Sequence, residues 1–293
     1  MDSTTGPTTG DVYAVGVPII LAMILFEVTY AALRQRRYYQ LADVGGTVGL
    51  LAGNIIIAGT TQGLALALYF FLYQFRMINV ATLVPLWAQW ILAFVMIDLV
   101  YYWYHRCSHQ VRFLWAVHMS HHCSQHMNFT VAFRQAWLGS VSKIPFYTSL
   151  PLIGLDPSIT AVAGVIATLW GVIGHTQIIP RLDPLTEFVF NTPSSHRVHH
   201  GTNPEYLDRN YGNLFMIWDR MFGTYAKENA PITYGLINNL ETNNPVSITM
   251  HVWRDIARDI RTSTTVREKL RAVFGPPGGL RLNVGDTTNE STG

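Results

Sequence analysis

Residues 81–109 read ATLVPLWAQWILAFVMIDLVYYWYHRCSH, an apolar run that ends in four aromatic residues and then two histidines four apart. Crossing roughly 30 Å of hydrocarbon takes about 20 apolar residues at 1.5 Å each, and residues 81–104 meet that length. Tyr101, Tyr102, Trp103 and Tyr104 form the aromatic belt expected where a helix leaves the bilayer. His105 and His109, one turn apart, share one face of the helix as it continues past the membrane. The stretch therefore predicts a spanning helix that presents two imidazoles just outside the bilayer.

Two other segments reach spanning length, residues 12–33 and 44–75. The second is interrupted by Gly59, Thr60, Thr61, Gln62 and Gly63, so one tilted span and a re-entrant pair both fit it. A fourth apolar region, 144–179, breaks at Leu155-Asp156-Pro157 and reads as a helical hairpin that enters and returns. Arg34, Arg36 and Arg37 follow the first span, and Arg106 and Arg112 follow the third. The positive-inside tendency wants both groups on the cytoplasmic face, which requires a single crossing between them. The hairpin then returns the chain to that face, so every histidine tract shares one compartment. The expected fold is an all-α, polytopic membrane bundle of about four spanning elements, the hairpin included, under a cytoplasmic helical cap.

The whole chain agrees with this. Of 293 residues 49% are hydrophobic and only 13% charged, a balance that favours a membrane protein over a soluble domain. A net charge of +2 supplies no basic field for nucleic acid. Residues 1–11 form a polar tail without the basic region of a secretory signal, so the first span is expected to remain as an anchor. Residues 12–275 read as one integral-membrane domain, and 276–293, rich in Gly, Pro, Thr and Asn, as a disordered tail. Between them, 254–271 is amphipathic and expected to lie on the membrane or against the cap. Cys107 and Cys123 sit among histidines at no disulfide spacing and are read as reduced.

Ten of the eleven histidines fall between His105 and His200, eight of them in three tracts. The first is His105 and His109, the second His118, His121 and His122, and the third His196, His199 and His200. Spacings of three and four residues bring rings together on one helix face, and imidazole suits iron, zinc, copper and nickel. A lone histidine on an apolar face is usually a packed core residue, but three tracts repeating one spacing point to one or two bound metals. His175, at the returning end of the hairpin, is a ninth ligand or a donor behind the ligands. His126 is read as solvent-facing or hydrogen-bonding, and His251 is given no role. Asp98 lies seven residues before His105, where it can orient a ligand ring or bond a nearby Trp or Tyr. Asn128 and Asp208 flank the tracts and are candidates for the same supporting part.

The three tracts, together with 191–201 (NTPSSHRVHHG), Asn210-Tyr211-Gly212, Trp218-Asp219, Phe222-Gly223-Thr224 and 274–278 (FGPPG), resemble the fatty acid hydroxylase and sterol desaturase superfamily, in its alkylglycerol monooxygenase-like branch. The resemblance runs from about residue 98 to 278. It implies that the eight tract histidines ligate two iron ions, that dioxygen is consumed and that the substrate is a membrane lipid. It also implies a separate electron donor, which in this superfamily is a reduced pterin, cytochrome b5 or a ferredoxin. Gln110 stands where that branch carries an acidic residue. Hydroxylation, desaturation, including C-5 desaturation of a sterol, and ether cleavage all stay open. Two readings from other classes compete, a zinc-dependent membrane hydrolase and a histidine-rich metal transporter. If bacterial, the chain belongs in the plasma membrane; if eukaryotic, in the endoplasmic reticulum.

Overall fold

The structure is a computed structural model describing residues 6–277, so the tail expected to be disordered lies outside the described residues from 278 onward. The first helix, α1 (Thr9–Leu33), begins three residues before the predicted span. Thr8 accepts from Asp11 N at 3.2 Å while the Asp11 carboxylate accepts from Thr8 N at 2.9 Å, a reciprocal cap that extends the helix into the polar tail. Helix α2 (Leu41–Tyr73) runs unbroken through residues 59–63, so the re-entrant alternative is not what forms. Thr60 and Thr61 turn their hydroxyls back to Ile57 O, both at 2.8 Å, and the polar patch stays inside the helix. After α3 (Val80–Leu83), Pro85 adopts an extended conformation and α4 (Leu86–Gln110) starts there, five residues later than the predicted 81. Helices α1, α2 and α4 are each long and apolar enough to cross a membrane.

Two short helices, α5 (Arg112–Trp115) and α6 (Met119–His122), carry the chain from α4 into the second histidine tract. A 3-10 turn (Phe129–Phe133) then leads to the hairpin. Its first arm is broken into α7 (Gly139–Tyr147) and α8 (Ser149–Ile153); its second is α9 (Pro157–Ile173), capped by the Asp156 carboxylate on Ser158 N at 2.7 Å. Gly154 turns between them at φ +116°, and a Cβ there would stand 1.9 Å from Ile78 O, so only glycine fits. Met77 N bonds Leu152 O at 2.7 Å, which puts the hairpin tip beside the α2–α3 loop, at the end of the bundle away from the histidines.

The rest is short. Helices α10 (Pro184–Val189), α11 (Pro193–His199) and α12 (Ile217–Met221) fold over the ends of α4 and α9, and the described residues form no sheet. The predicted amphipathic helix is two, α13 (Pro245–Thr262) and α14 (Val266–Phe274). Thr265 caps Glu268 N at 3.2 Å and so starts a new helix. Helix α13 packs Ile248, Val252 and Ile256 on Leu50 of α2, Ala116 and Met119.

Helices α4 and α9 meet through small residues, Ala93 against Ala163 and Ala167, which lets two backbones approach without a hydrophobic driving force between them. Outward, Leu21, Leu25, Ile56 and Leu64 are all at least 60% exposed, the kind of apolar surface that lipid covers. The end of α1, the start of α2, and the histidine-bearing ends of α4 and α9 gather at one end of the bundle. Asn128 Nδ2 reaches Tyr38 O at 2.7 Å and Arg134 Nη1 reaches Asp43 Oδ1 at 3.0 Å across that gathering.

Candidate metal centre

Nine buried or nearly buried histidines converge there in two groups. His105, His109, His118, His122 and His199 form one, and His121, His175, His196 and His200 the other; within each, the facing nitrogens all lie within 4.8 Å of one another. The second tract divides between the groups: His118 and His122 go to the first and His121 to the second. The third divides likewise, with His199 in the first and His196 and His200 in the second.

The ring contacts have the spacing that a metal shell would need. His105 Nε2 and His118 Nε2 are 2.9 Å apart, His118 and His122 Nε2 3.1 Å, and His122 and His199 Nε2 3.2 Å. In the other group His175 Nε2 stands 3.1 Å from His121 Nε2 and 2.9 Å from His196 Nε2, with His200 and His196 Nε2 3.2 Å apart. Metal–imidazole bonds of about 2.1 Å at right angles would put neighbouring nitrogens about 3.0 Å apart. Hydrogen bonds between the rings cannot account for all of these contacts, since His105 and His199, at the two ends of the first set, can both only accept. His105 Nδ1 faces Tyr211 O at 2.8 Å, His199 Nδ1 faces Arg209 O at 2.9 Å, and His175 Nδ1 faces Gly171 O at 2.8 Å. A carbonyl only accepts, so each of these Nδ1 atoms carries the proton and each Nε2 presents a bare lone pair to the centre. His109 Nε2 is buried with no hydrogen-bond partner among the described residues. Lone pairs converging at 3 Å, with an orphaned ring nitrogen among them, fit cations at the two foci.

Burial keeps the rings neutral, as ligation requires. His118, His121, His122, His196, His199 and His200 are held well below the usual imidazole range, first by burial and then by the repulsion that protonated neighbouring rings would exert. His175 is pushed down to about 4 by burial, with the Gly171 and Val172 carbonyls working the other way. Gly174 makes room for this packing, since a Cβ would lie 2.9 Å from the His196 ring.

The three residues proposed to support the ligands separate. Asp208 Oδ1 lies 3.4 Å from His109 Nδ1, and that contact holds its carboxyl below the usual range. Asp98 bonds no imidazole: it accepts from Leu214 N at 2.7 Å, Phe215 N at 3.0 Å and Trp218 Nε1 at 3.0 Å, the bond to a nearby Trp that was its other reading. Its help is indirect. With Asp219, which accepts from Tyr211 N and Gly212 N at 2.8 Å each, it clamps the loop whose Tyr211 carbonyl fixes His105. Asn128 caps the 3-10 turn through Thr130 N at 3.0 Å and likewise reaches no ring histidine. His126 bonds Gln40 Oε1 at 3.2 Å, outside both groups, and Cys107 and Cys123 are free thiols.

Two buried supports went unread in the sequence. Glu27, fully buried in α1, accepts from Tyr39 Oη at 2.6 Å, Phe129 N at 2.8 Å and the hydroxyl of Thr176, next to His175. A lone carboxylate in a spanning segment is itself a signal, the one that singled out Asp98. Arg197 follows His196 and donates to Thr176 O at 3.0 Å and Ile179 O at 2.8 Å while pairing with Glu228 at 2.7 Å.

The fatty acid hydroxylase family model matches residues 90–224, which include all nine of these histidines. Alkylglycerol monooxygenase of Homo sapiens is 35% identical over 237 residues, 79% of this chain and 52% of that protein. The belonging is plain. This chain is a member of the fatty acid hydroxylase superfamily, in its alkylglycerol monooxygenase-like branch. Alkylglycerol monooxygenase of Danio rerio is 38% identical over 192 residues, 66% of this chain and 42% of that protein. The ornithine lipid hydroxylase of Rhizobium tropici is 28% identical over 148 residues, 50% of this chain and 44% of that protein. The superfamily member described here thus spans about half the length of the alkylglycerol monooxygenases it matches. No solved structure matches it.

Proposed function

We propose that this protein is a membrane-bound, di-iron, dioxygen-dependent enzyme that hydroxylates or desaturates a lipid near its polar end. The observation that carries the reading is the division of nine imidazoles into a group of five and a group of four. Catalytic zinc takes three protein ligands and leaves its fourth position open, so five converging rings exceed what a zinc hydrolase uses. Iron, which takes up to six ligands, would be held by the five rings of one group and the four of the other, leaving it able to meet dioxygen. A transporter places its polar groups near mid-membrane, whereas these histidines cluster past the apolar lengths of α4 and α9. The relatives are named as lipid monooxygenases and hydroxylases, which supports the substrate class.

Two irons so held would supply dioxygen activation, with electrons from an external donor, to the level needed to cut an unactivated C–H bond. The chain does the rest. Backbone carbonyls of Tyr211, Arg209 and Gly171 fix tautomer and ring orientation, and the buried setting keeps protons off the ligand nitrogens. A lipid lying between the helices brings its tail alongside α4 and α9 and its head to the histidines, so the carbons near the head are those presented. Electrons come from a separate donor of the pterin, cytochrome b5 or ferredoxin type, and the tracts face the cytoplasm.

Metal analysis of purified protein, with product analysis under labelled dioxygen, tests the reading. Two irons per chain and label in a lipid alcohol support hydroxylation, and an oxygen-dependent alkene supports desaturation. Zinc alone, or oxygen drawn from water, would overturn the reading.

A further inference from the structure

We infer that Lys143 is the head-binding residue of the lipid site and that the lipid it receives carries a negative charge, phosphate or carboxylate, at its polar end. The inference rests on the lipid-oxidation reading and names its substrate class. Residues 139–173 of the hairpin contain a single basic side chain, Lys143, and a single acidic one, Asp156. Asp156 is spent at the far end capping α9. The Lys143 ammonium stands over two tyrosine rings of α4, 5.8 Å from the Tyr101 centroid and 5.7 Å from that of Tyr104. No carboxylate lies within ion-pair distance of it among the described residues.

A partly buried ammonium without an acid has lost hydration that ring faces return only in part. The residue is therefore set up for an anion that arrives from outside the chain. The surroundings say where. Tyr101 packs its ring 5.1 Å from the ring of His105, in the five-histidine group. The ammonium thus stands on the α7 side of α4, with the Tyr101 ring between it and His105. One turn earlier on the same face of α7, Ser140 Oγ is shielded and has no hydrogen-bond partner among the described residues, a second polar atom left for a ligand. An anionic head held by Lys143 would leave its first few carbons against the histidines.

The test uses the full-length, metal-loaded protein in zwitterionic nanodiscs and three probes of equal chain length: hexadecylglycerol, its phosphate monoester, and palmitate. Equilibrium binding is compared for wild type, Lys143→Met, Lys143→Gln and Lys143→Arg, with iron content measured for each. The wild type is expected to prefer at least one anionic probe over the neutral one by about tenfold, the size of a charge-assisted contact. Lys143→Met and Lys143→Gln should lose that preference, and Lys143→Arg should keep it. Preference for the phosphate ester identifies a phospholipid-type head, and preference for palmitate a free acid. Equal binding of all three by wild type, or a preference that survives in whichever neutral variant retains its iron, overturns the assignment. Missing iron or unlabelled product would defeat the oxidation reading instead, and the binding ratio would still be readable.

Discussion

At the scale of single residues, the centre is built by carbonyls that hold protons and by burial that refuses them. His175 tests the first part. It was readable only as a ligand or a donor, because nothing in its spacing joins it to a tract; the fold brings its Nε2 within 2.9 Å of His196. Replacing it with alanine is expected to lower iron from two to one per chain and to abolish turnover, while His126→Ala, outside both groups, should change neither. Full iron retention in His175→Ala would remove His175 from the shell. Of the two readings of Asp98, the bond to a Trp is the one that forms, at Trp218. Sequence distance along α4 placed Asp98 on the His105 face, but its partners lie more than a hundred residues away, at Leu214, Phe215 and Trp218, where no helical period reaches. The second part has a pH signature. A free imidazole titrates near about 6.5, while His175 is pushed down to about 4. As pH falls through that window the unfolded chain takes up protons that the folded ring refuses, so stability present above it is lost. The thermal midpoint of the metal-free protein is expected to drop between those values; a flat profile would contradict neutral buried rings.

At the scale of elements, the apolar lengths of α1, α2 and α4 were legible, because hydropathy over some twenty residues outweighs local propensity. What set their ends was side-chain chemistry of one or two residues: the Thr8–Asp11 cap, Pro85 before α4, and the Thr265 cap that divides α13 from α14. The second tract depends on a less visible element contact. Arg134, after the 3-10 turn, is 1% exposed and pairs at 3.0 Å with Asp43 at the start of α2, whose other oxygen accepts from Ser124 Oγ at 2.8 Å. Arg134 also reaches Cys123 Sγ at 3.4 Å, so the pair braces the segment directly behind His121 and His122. Arg134→Met strands a buried carboxylate and is expected to cost about 3–5 kcal/mol. The double variant Arg134→Met with Asp43→Leu should recover most of that, read as the thermal midpoint in detergent. Equal loss in single and double variants would mean that the guanidinium stabilises through its other contacts instead.

At the scale of the whole molecule, sequence and fold meet on one geometric demand: chain segments nearly a hundred residues apart must return to the same end. Parity of the spans and the arginines after the first and third of them predicted this, and the fold gathers the ends of α1, α4 and α9 with the start of α2 around the histidines. The hairpin is the element on which this depends. With 17 residues in α9, about 25 Å of helix, it runs to the α2–α3 loop at the far end of the bundle and returns. A hairpin that returns keeps everything after His175 on the side of His105; one that crossed an odd number of times would separate His196 from His122, and the 3.2 Å approach of His122 to His199 could not form. The last described residues follow the same side, because Arg112 N bonds Gly275 O at 2.9 Å and so ties the end of α14 to the start of α5. Single cysteines at Gln125 and Thr202, in a chain with Cys107 and Cys123 replaced, and a tag at the C-terminus are therefore all expected to be labelled from the cytoplasmic face in sealed vesicles of known orientation. Labelling of Gln125 and Thr202 from opposite faces would defeat both the hairpin and the shared centre. Labelling of all three from the outer face would keep the centre and reverse its sidedness, placing the electron donor in the other compartment.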